Sequence, residues 1–208
     1  MQPANFNYHR ANSVNEAESL CKANADASFL AGGHSLIPAM KLRLSEPGAL
    51  VDIAGIDELK GINRDGDMIR IGALTTHSEV ESSGAVNDAC SALSETAGMI
   101  GDPQVRNRGT IGGNIAHADP ASDYPGILMA LGATIVTSSR SITVDDFFTG
   151  LFETALDEGE LIKEIQVPVL GDGSGAAYAK FFNPASRYAV VGVGAVISMD
   201  NGSCSSSS

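Results

Sequence analysis

The sequence contains no tryptophan, only three cysteines and few basic residues. Lys and Arg total 13 against 25 Asp and Glu, so the formal net charge is −12 at pH 7. Nucleic acid is therefore not expected as a partner, because binding phosphates takes a concentration of basic side chains. Cys21, Cys90 and Cys204 lie far apart and form no CxxC pair, which argues against a disulfide framework, a metal site or an iron–sulfur site in this chain.

Long apolar runs are also missing. No stretch reaches the ~18 apolar residues that a membrane span needs, and residues Met1 to Phe6 lack the basic start and apolar core of a secretory signal. The sequence thus predicts a cytoplasmic location. The 208 residues, 43% hydrophobic and 18% charged with 23 glycines, are typical of a turn-rich globular fold of one large domain or two small ones.

Predicted helices and strands interleave without the regular alternation of a doubly wound sheet, which favours an α+β fold. Capping boxes at Ser13–Glu16 and Thr76–Glu79 predict helix starts, and apolar spacing predicts one amphipathic helix over 85–100. Asp200–Gly202 indicates a hairpin. The sequence ends in serines, Ser205–Ser208, just where the hairpin should return, so no partner strand is expected there. We therefore expect the C-terminal domain to be truncated or incompletely assigned.

A first glycine pair lies in the segment "LAGGHSLIPAMKLRL", between a predicted strand and a predicted helix. Such a turn exposes successive backbone N–H groups, and the lack of Cβ atoms lets a pyrophosphate approach them closely. Gly32, Gly33, His34 and Ser35 have this character. Taken alone, the motif is equally typical of a tight turn in which glycine only permits positive φ.

A second pair lies in "RNRGTIGGNIAHADPASDYP", from Arg106 to Pro125. Here Thr110 and Asn114 could add hydroxyl and amide donors around a diphosphate, and the Asp123 carboxylate could accept the hydroxyls of a ribose. The alternative is a structural loop in which Asp123 caps the following helix. Two such loops in one acidic domain favour a nucleotide cofactor.

Other cofactor and catalytic motifs are not supported. Gly192–Gly194 and Gly171–Gly175 lack the GxGxxG spacing of a Rossmann turn, and no P-loop spacing occurs. The histidines show no HExxH or clustered ligand spacing, which argues against a metal site. A Ser-His-Asp hydrolase would need the GxSxG elbow, which is absent. Arg106 and Arg108 are expected to be solvated or paired with nearby carboxylates. No residue is predicted to be catalytic.

The two glycine segments together resemble the paired flavin-binding signatures of the medium, FAD-binding subunit of molybdenum hydroxylases, the group that includes carbon monoxide dehydrogenase and xanthine dehydrogenase. The segments "MIRIGALTTHSEVESS", "ELIKEIQVPV" and "AYAKFFNPASRYAVVGVGAVIS" also match that family in order and spacing. The resemblance implies an FAD-binding domain of the PCMH (vanillyl-alcohol-oxidase) type with two subdomains over residues 1–175. Residues 176–208 would begin the small α+β C-terminal domain, apparently truncated.

The same resemblance implies roles for individual residues and names no catalytic one. The first pyrophosphate loop would consist of Leu30, Ala31, Gly32, Gly33, His34, Ser35 and Leu36. The second would consist of Thr110, Gly113 and Asn114, shaped by Ile111 and Gly112. Asp123 would hold the adenosine ribose and Ile162 would line the flavin pocket. Lys180 and Tyr188 belong to the segment that approaches the isoalloxazine in relatives.

The function implied by the resemblance is electron transfer. Noncovalent FAD would receive electrons from [2Fe–2S] clusters of a small partner subunit, while the molybdenum cofactor resides on a large subunit, in a dimer of heterotrimers. The acceptor would be a quinone, NAD or oxygen. Some relatives carry a cysteine-rich [4Fe–4S] insertion, which the three scattered cysteines exclude here. The substrate would be set by the molybdenum subunit.

Two other interpretations stay open. One is a stand-alone flavoprotein oxidase of the same fold with the flavin attached covalently at His34, although 208 residues leave no room for its large substrate domain. The other is a structural subunit that has lost its flavin, which the intact glycine motifs and Asp123 argue against.

Overall fold

The computed structural model describes residues 2–208 and contains three larger β-sheets and one two-stranded hairpin. The strands are β1 (Asn7–Arg10), β2 (Ala27–Leu30), β3 (Ala49–Asp52), β4 (Ile62–Asp65), β5 (Met68–Gly72), β6 (Thr134–Thr137), β7 (Ser141–Thr143), β8 (Phe148–Gly150), β9 (Glu153–Thr154), β10 (Ile162–Pro168), β11 (Ser174–Phe182), β12 (Ala189–Asp200) and β13 (Ser203–Ser207). The helices are α1 (Val14–Ala23), α2 (Leu36–Lys41), α3 (His77–Ser82), α4 (Gly84–Ala89), α5 (Ser91–Gly98), α6 (Pro103–Arg106), α7 (Ile111–His117), α8 (Tyr124–Ala130) and α9 (Val144–Phe147).

The first sheet has the spatial order β1-β3-β2 with all neighbours parallel. Helix α1 crosses over between β1 and β2 and buries Val14 and Ala17 against this sheet's own core. The Ser13 side chain caps α1 by accepting from the Glu16 N–H at 3.2 Å. The Glu16 carboxylate, however, accepts from the Asn12 N–H, so only half of the predicted capping box is formed.

The second sheet has the order β4-β5-β10-β6-β7, and its neighbouring strands are antiparallel. Strand β5 alternates between partly exposed residues and the buried Ile69 and Ile71, as expected of a sheet with one face on the core. The helices from α3 to α9 share this core, in which Tyr124, Ile115 and Leu93 are almost fully buried.

The predicted single helix over 85–100 is wrong, because the structure has two helices, α4 and α5, separated at Cys90. Cys90 is extended, with φ −163° and ψ 98°. The Ala89 carbonyl accepts from the Leu170 N–H at 3.1 Å and so binds the segment after β10. A contact with a distant segment therefore ends the helix where the apolar spacing alone would continue it.

The third sheet, β11-β12-β13, is antiparallel. Asn201 and Gly202 both have positive φ, 48° and 80°, which suits the predicted tight hairpin turn. The expectation that no strand returns is wrong, since the serine-rich β13 pairs with β12. Strand pairing is made by backbone N–H and C=O groups. A run of serines can therefore form a strand at a position where no apolar side chains are needed for a core.

The interleaved order of helices and strands confirms the α+β prediction. Among residues 2–208, no helix has the length and apolar content needed to cross a membrane. The same residues contain no cluster of three or more His, Cys, Asp or Glu side chains placed to hold a metal ion.

Candidate functional site

A cavity of about 490 Å³ lies where the three larger sheets meet. Its walls come from the β2–α2 turn, the α6–α7 loop with α7, the loop before α8, the start of β10 and the β11–β12 turn. All of the predicted site residues line this cavity except Ile111 and Lys180. The fold therefore brings two glycine motifs that are about 80 residues apart in sequence onto one cavity.

The first glycine turn presents a run of free backbone donors. Within the described chain, the N–H groups of residues 32–36 donate to no protein acceptor, whereas the Ile37 N–H already donates to the Gly33 carbonyl at 3.1 Å. Gly33 has φ +75°, a conformation that favours glycine. Successive N–H groups left free in this way form a concave site for an anion.

Gly32 brings the two loops into direct contact. A Cβ added at Gly32 would overlap the Arg108 carbonyl oxygen and would lie 3.0 Å from the Gly109 Cα. Gly112 is equally confined, since its Cβ would lie 2.7 Å from the Ala73 carbonyl oxygen. These two glycines are therefore required by the close approach of neighbouring backbone.

The second loop contributes side chains rather than backbone donors. The N–H groups of residues 111–114 all donate within the chain, to the carbonyls of Thr75, Ala73 and Thr110 and to the Thr110 hydroxyl. That hydroxyl accepts from the Gly113 N–H at 3.2 Å and so caps α7. Its own proton stays available to a ligand, because a hydroxyl both donates and accepts.

Asn114 is held by a residue that the sequence did not indicate. Its Oδ1 accepts from the Ser122 hydroxyl at 2.5 Å. Its Nδ2 donates to no acceptor among residues 2–208, so the amide offers two donors at the cavity. Ile111 lies outside the lining and is fully buried in the core beneath the loop.

Asp123 lines the cavity, and its side chain is held from the third sheet. It is 4% exposed. Oδ1 accepts from the Tyr178 hydroxyl at 2.7 Å and Oδ2 accepts from the Lys180 ammonium at 2.8 Å. Asp123 directly precedes α8, but its side chain makes no capping bond to that helix. The carboxylate therefore does not act as the helix cap that the alternative interpretation expected. Lys180 is thus placed behind Asp123 and does not line the cavity wall, whereas Tyr188, from the same C-terminal segment, does.

His77 is a cavity residue that the sequence did not indicate, because its motif predicts only a helix start. That capping box is present, with Thr76 as the cap. The His77 ring is 3% exposed, and its Nδ1 lies 3.3 Å from the Tyr124 hydroxyl. Burial, with smaller contributions from His34 and Arg106, lowers the pKa of His77 to about 4. The imidazole is therefore neutral at physiological pH.

Glu160 also lines the cavity and carries no sequence motif that would predict this. Burial tends to raise the pKa of its carboxyl, but hydrogen bonds from Arg140, the Asp157 N–H, Thr137 and Ser139 outweigh this and lower the pKa to about 2. The network fixes the segment that leads into Ile162, which lies on the cavity wall as predicted.

The two arginines before the second loop behave differently. Arg106 forms an ion pair with Glu81 at 2.8 Å and also donates to the Ile100 carbonyl, as expected of a cation paired locally. Arg108 is exposed. Neither lines the cavity.

The β11–β12 turn completes the cavity. Ser186, Arg187 and Tyr188 contribute to its wall, and Tyr188 remains 46% exposed. Burial, together with Asp119 and Asp123, raises the pKa of Tyr188, so its phenol stays protonated. His34, in the first glycine turn, is exposed and also lines the cavity.

In chemical terms, the cavity combines free backbone amides, hydroxyl and amide donors, a buried carboxylate acceptor and apolar walls. Donors of this kind suit a diphosphate, and the carboxylate suits a pair of sugar hydroxyls. A dinucleotide with its two halves joined by a pyrophosphate fits this set of groups.

Comparison with known proteins agrees with this chemistry. Residues 4–170 match the family model described as FAD binding domain in molybdopterin dehydrogenase. The chain is 43% identical to the carbon monoxide dehydrogenase medium chain of Hydrogenophaga pseudoflava, covering 95% of this chain and 70% of that one. It is 42% identical to the glyceraldehyde dehydrogenase medium chain of Sulfolobus acidocaldarius, covering 96% and 72%.

Solved structures give the same result. Carbon monoxide dehydrogenase from Hydrogenophaga pseudoflava superposes with a TM-score of 0.96 at 42% identity, over 100% of this chain and 74% of that one. Quinoline 2-oxidoreductase from Pseudomonas putida 86 superposes with a TM-score of 0.93 at 30% identity, over 100% and 73%. The resemblance and the fold that it implied are thus confirmed. The chain belongs to the family of FAD-binding domains in molybdopterin dehydrogenases and is an oxidoreductase subunit of their medium, FAD-binding type.

Proposed function

We propose that this chain binds FAD noncovalently in the 490 Å³ cavity and passes electrons from [2Fe–2S] clusters of a small partner subunit to an external acceptor, a quinone, NAD or oxygen. A large subunit with the molybdenum cofactor would oxidise the substrate, in a dimer of heterotrimers. Relatives named as medium chains of carbon monoxide and glyceraldehyde dehydrogenases support this assignment.

The observation that carries the proposal is the run of free N–H groups at residues 32–36 facing the same cavity as Thr110 and Asn114. Residues 32–36 are partly or fully exposed, so their free amides can donate to water or to a ligand in the cavity. An anion held there would satisfy these donors together. We assign the pyrophosphate of FAD to this position.

The protein's own residues would bind and orient the cofactor, and the bound flavin supplies the one- and two-electron redox chemistry. Leu30 and Ala31 precede the amide run and Leu36 ends it, while Ile162 offers an apolar wall. His34 and Tyr188 lie on exposed parts of the rim. The neutral His77 adds no charge to the site, and the free backbone amides are donors that an anion can use.

We also propose a domain division, with the FAD-binding domain over residues 1–175 and the start of a C-terminal domain at 176–208. The outer face of the third sheet supports this division. Phe181, Val191 and Val193 on it are 70%, 56% and 57% exposed. Its inner face carries Tyr178 and packs on the main core. An apolar sheet face of this kind is typical of a layer that further structure covers.

The decisive experiment is gentle purification of the protein followed by a flavin absorbance spectrum and identification of co-purifying subunits. We expect a yellow protein accompanied by large molybdenum and small iron–sulfur subunits, whose flavin is reduced when the substrate of the complex is added. Protein that stays colourless and takes up no FAD would overturn the proposal and favour the flavin-free structural subunit.

Acid precipitation separates the two flavin-binding alternatives. Noncovalent FAD is expected to remain in the supernatant, whereas flavin attached at His34 would stay in the pellet. The variant His34→Ala provides the control, because it removes any covalent link while leaving the amide run unchanged. Yellow colour in the wild-type pellet and none in the variant pellet would contradict noncovalent binding.

A further inference from the structure

The Asp123 carboxylate is held from behind by two side chains of a different sheet. Tyr178 and Lys180 lie two residues apart on one face of β11, and neither belongs to the cavity wall. Their donors reach separate oxygens of Asp123, at 2.7 Å and 2.8 Å. Asp123 itself faces the cavity.

The arrangement is tightly constrained. The Lys180 and Asp123 side chains are 4% and 5% exposed, and the Lys180 ammonium also donates to the Met99 carbonyl at 3.0 Å. A buried carboxylate that lost one of these partners would be left underbonded. Both donors therefore fix the rotamer of Asp123 as well as its charge environment.

The Asp123 carboxylate can still accept hydrogen bonds from a ligand while these two bonds are present. Each carboxylate oxygen can accept more than one hydrogen bond, and each oxygen of Asp123 accepts one from a protein side chain. Burial and the bond to Asp123 raise the pKa of Tyr178, so its hydroxyl remains a donor. The free acceptor positions on Asp123 suit a pair of neighbouring hydroxyls.

We propose that Tyr178 and Lys180 are positioning residues, which orient the Asp123 carboxylate toward the adenosine ribose diol and act on FAD only through Asp123. This inference rests on the proposed function, in which Asp123 binds that ribose. On this proposal, the affinity for FAD depends on the position of β11, a strand of the third sheet.

The test is a double-mutant cycle of FAD binding to flavin-stripped full-length protein, with wild type, Tyr178→Phe, Asp123→Asn and the double variant. Removing a hydrogen bond to a charged group typically costs roughly tenfold in affinity, so we expect Tyr178→Phe to raise the Kd of FAD by about that factor. In the Asp123→Asn background the same change should have little further effect. Tyr8→Phe is the matched control, because Tyr8 donates to Asp52 and neither residue lines the cavity.

A second probe distinguishes positioning from a merely structural role. FAD lacking the 2′-hydroxyl of the adenosine ribose should bind wild type more weakly than FAD, and this ratio of Kd values should approach one in Tyr178→Phe. A general loss of stability would weaken both ligands equally. If Tyr178→Phe does not fold, Lys180→Arg replaces it in the same two measurements. This variant keeps the positive charge but displaces the group that donates to Asp123.

The outcomes separate the two proposals. Wild type that binds no FAD refutes the proposed function. Wild type that binds FAD, with additive effects in the cycle or an unchanged ratio in the variants, overturns the positioning role alone.

Discussion

At the scale of single residues, the site depends on glycines whose neighbours leave no room for a side chain and on polar groups that hold one another. Gly32 allows the backbone of the first turn to touch that of residues 108–109. Glu160 is ordered by four groups around it. Neither residue does chemistry, yet each fixes a wall of the cavity.

Gly32→Ala is expected to lower flavin retention at least tenfold, because its Cβ would overlap the Arg108 carbonyl and push the two loops apart. Overpacking of this kind costs roughly 1–3 kcal/mol. The flavin-to-protein absorbance ratio after desalting measures the effect. Gly171→Ala is the control, since its Cβ would meet nothing within 4 Å. Full flavin content in Gly32→Ala would refute the close-contact argument.

Glu160 predicts a pH dependence of stability. Its pKa is lowered to about 2 in the folded state from 4.5, so the carboxylate stabilises the fold above pH 4.5 and this contribution is lost as the pH falls toward 2. Glu160→Gln should therefore lower the free energy of unfolding by roughly 2 kcal/mol at pH 7 and by much less near pH 2. Urea unfolding at several pH values measures this. The exposed Glu158→Gln serves as control, and parallel curves for wild type and Glu160→Gln would contradict the prediction.

At the scale of secondary-structure elements, the two glycine loops serve the cavity in different ways. The first leaves its amides free before α2, whereas the second uses its amides to begin α7 and contributes side chains. Thr110 has both roles, because its hydroxyl caps α7 and lines the cavity.

Thr110→Ala should therefore have two effects. Loss of the cap costs about 1 kcal/mol of stability, and loss of a donor to the diphosphate should raise the Kd of FAD roughly tenfold. Ser13→Ala removes an equivalent cap from α1, outside the cavity wall, and should reproduce only the first effect. Thermal unfolding and FAD titration measure the two quantities. If Thr110→Ala lost stability without affinity, its hydroxyl would be only a cap.

At the scale of the whole molecule, the third sheet is attached to the rest through a close backbone contact and a buried ion pair. A Cβ added at Gly194 in β12 would lie 2.6 Å from the Gly126 carbonyl oxygen in α8. The ion pair between Lys180 and Asp123 lies in the same interface. A displacement of the third sheet is therefore expected to displace Asp123 on the cavity wall as well.

Gly194→Ala is expected to destabilise the protein by roughly 1–3 kcal/mol through overpacking. It should also weaken FAD binding, although Gly194 is not on the cavity wall, because lifting the sheet displaces Tyr178 and Lys180 from Asp123. Gly175→Ala in β11 is the control, since no atom lies within 4 Å of its Cβ. Calorimetry and FAD titration are the measurements, and unchanged affinity in a destabilised Gly194→Ala would argue against the coupling.

Local patterns are sufficient to predict most elements, the α+β class and the family. The two glycine motifs are contiguous in sequence, so their residues can be named from the sequence alone, and all of the predicted site residues but Ile111 and Lys180 line one cavity. The break at Cys90 cannot be predicted in this way, because a distant amide, that of Leu170, causes it. The pairing of β13 with β12 could not be predicted from the sequence either, because a run of serines that pairs through its backbone shows no apolar pattern.

The sequence by itself thus determined which residues could bind a diphosphate, since glycine turns and the side chains of Thr110 and Asn114 carry that chemistry locally. Only the tertiary structure decided how they are used. It left the amides of the first turn free and consumed those of the second, and it brought His77 and Glu160 to the wall. It also placed Tyr178 and Lys180 behind Asp123. These outcomes depend on contacts between residues distant in the chain, which only the packing of the three sheets specifies.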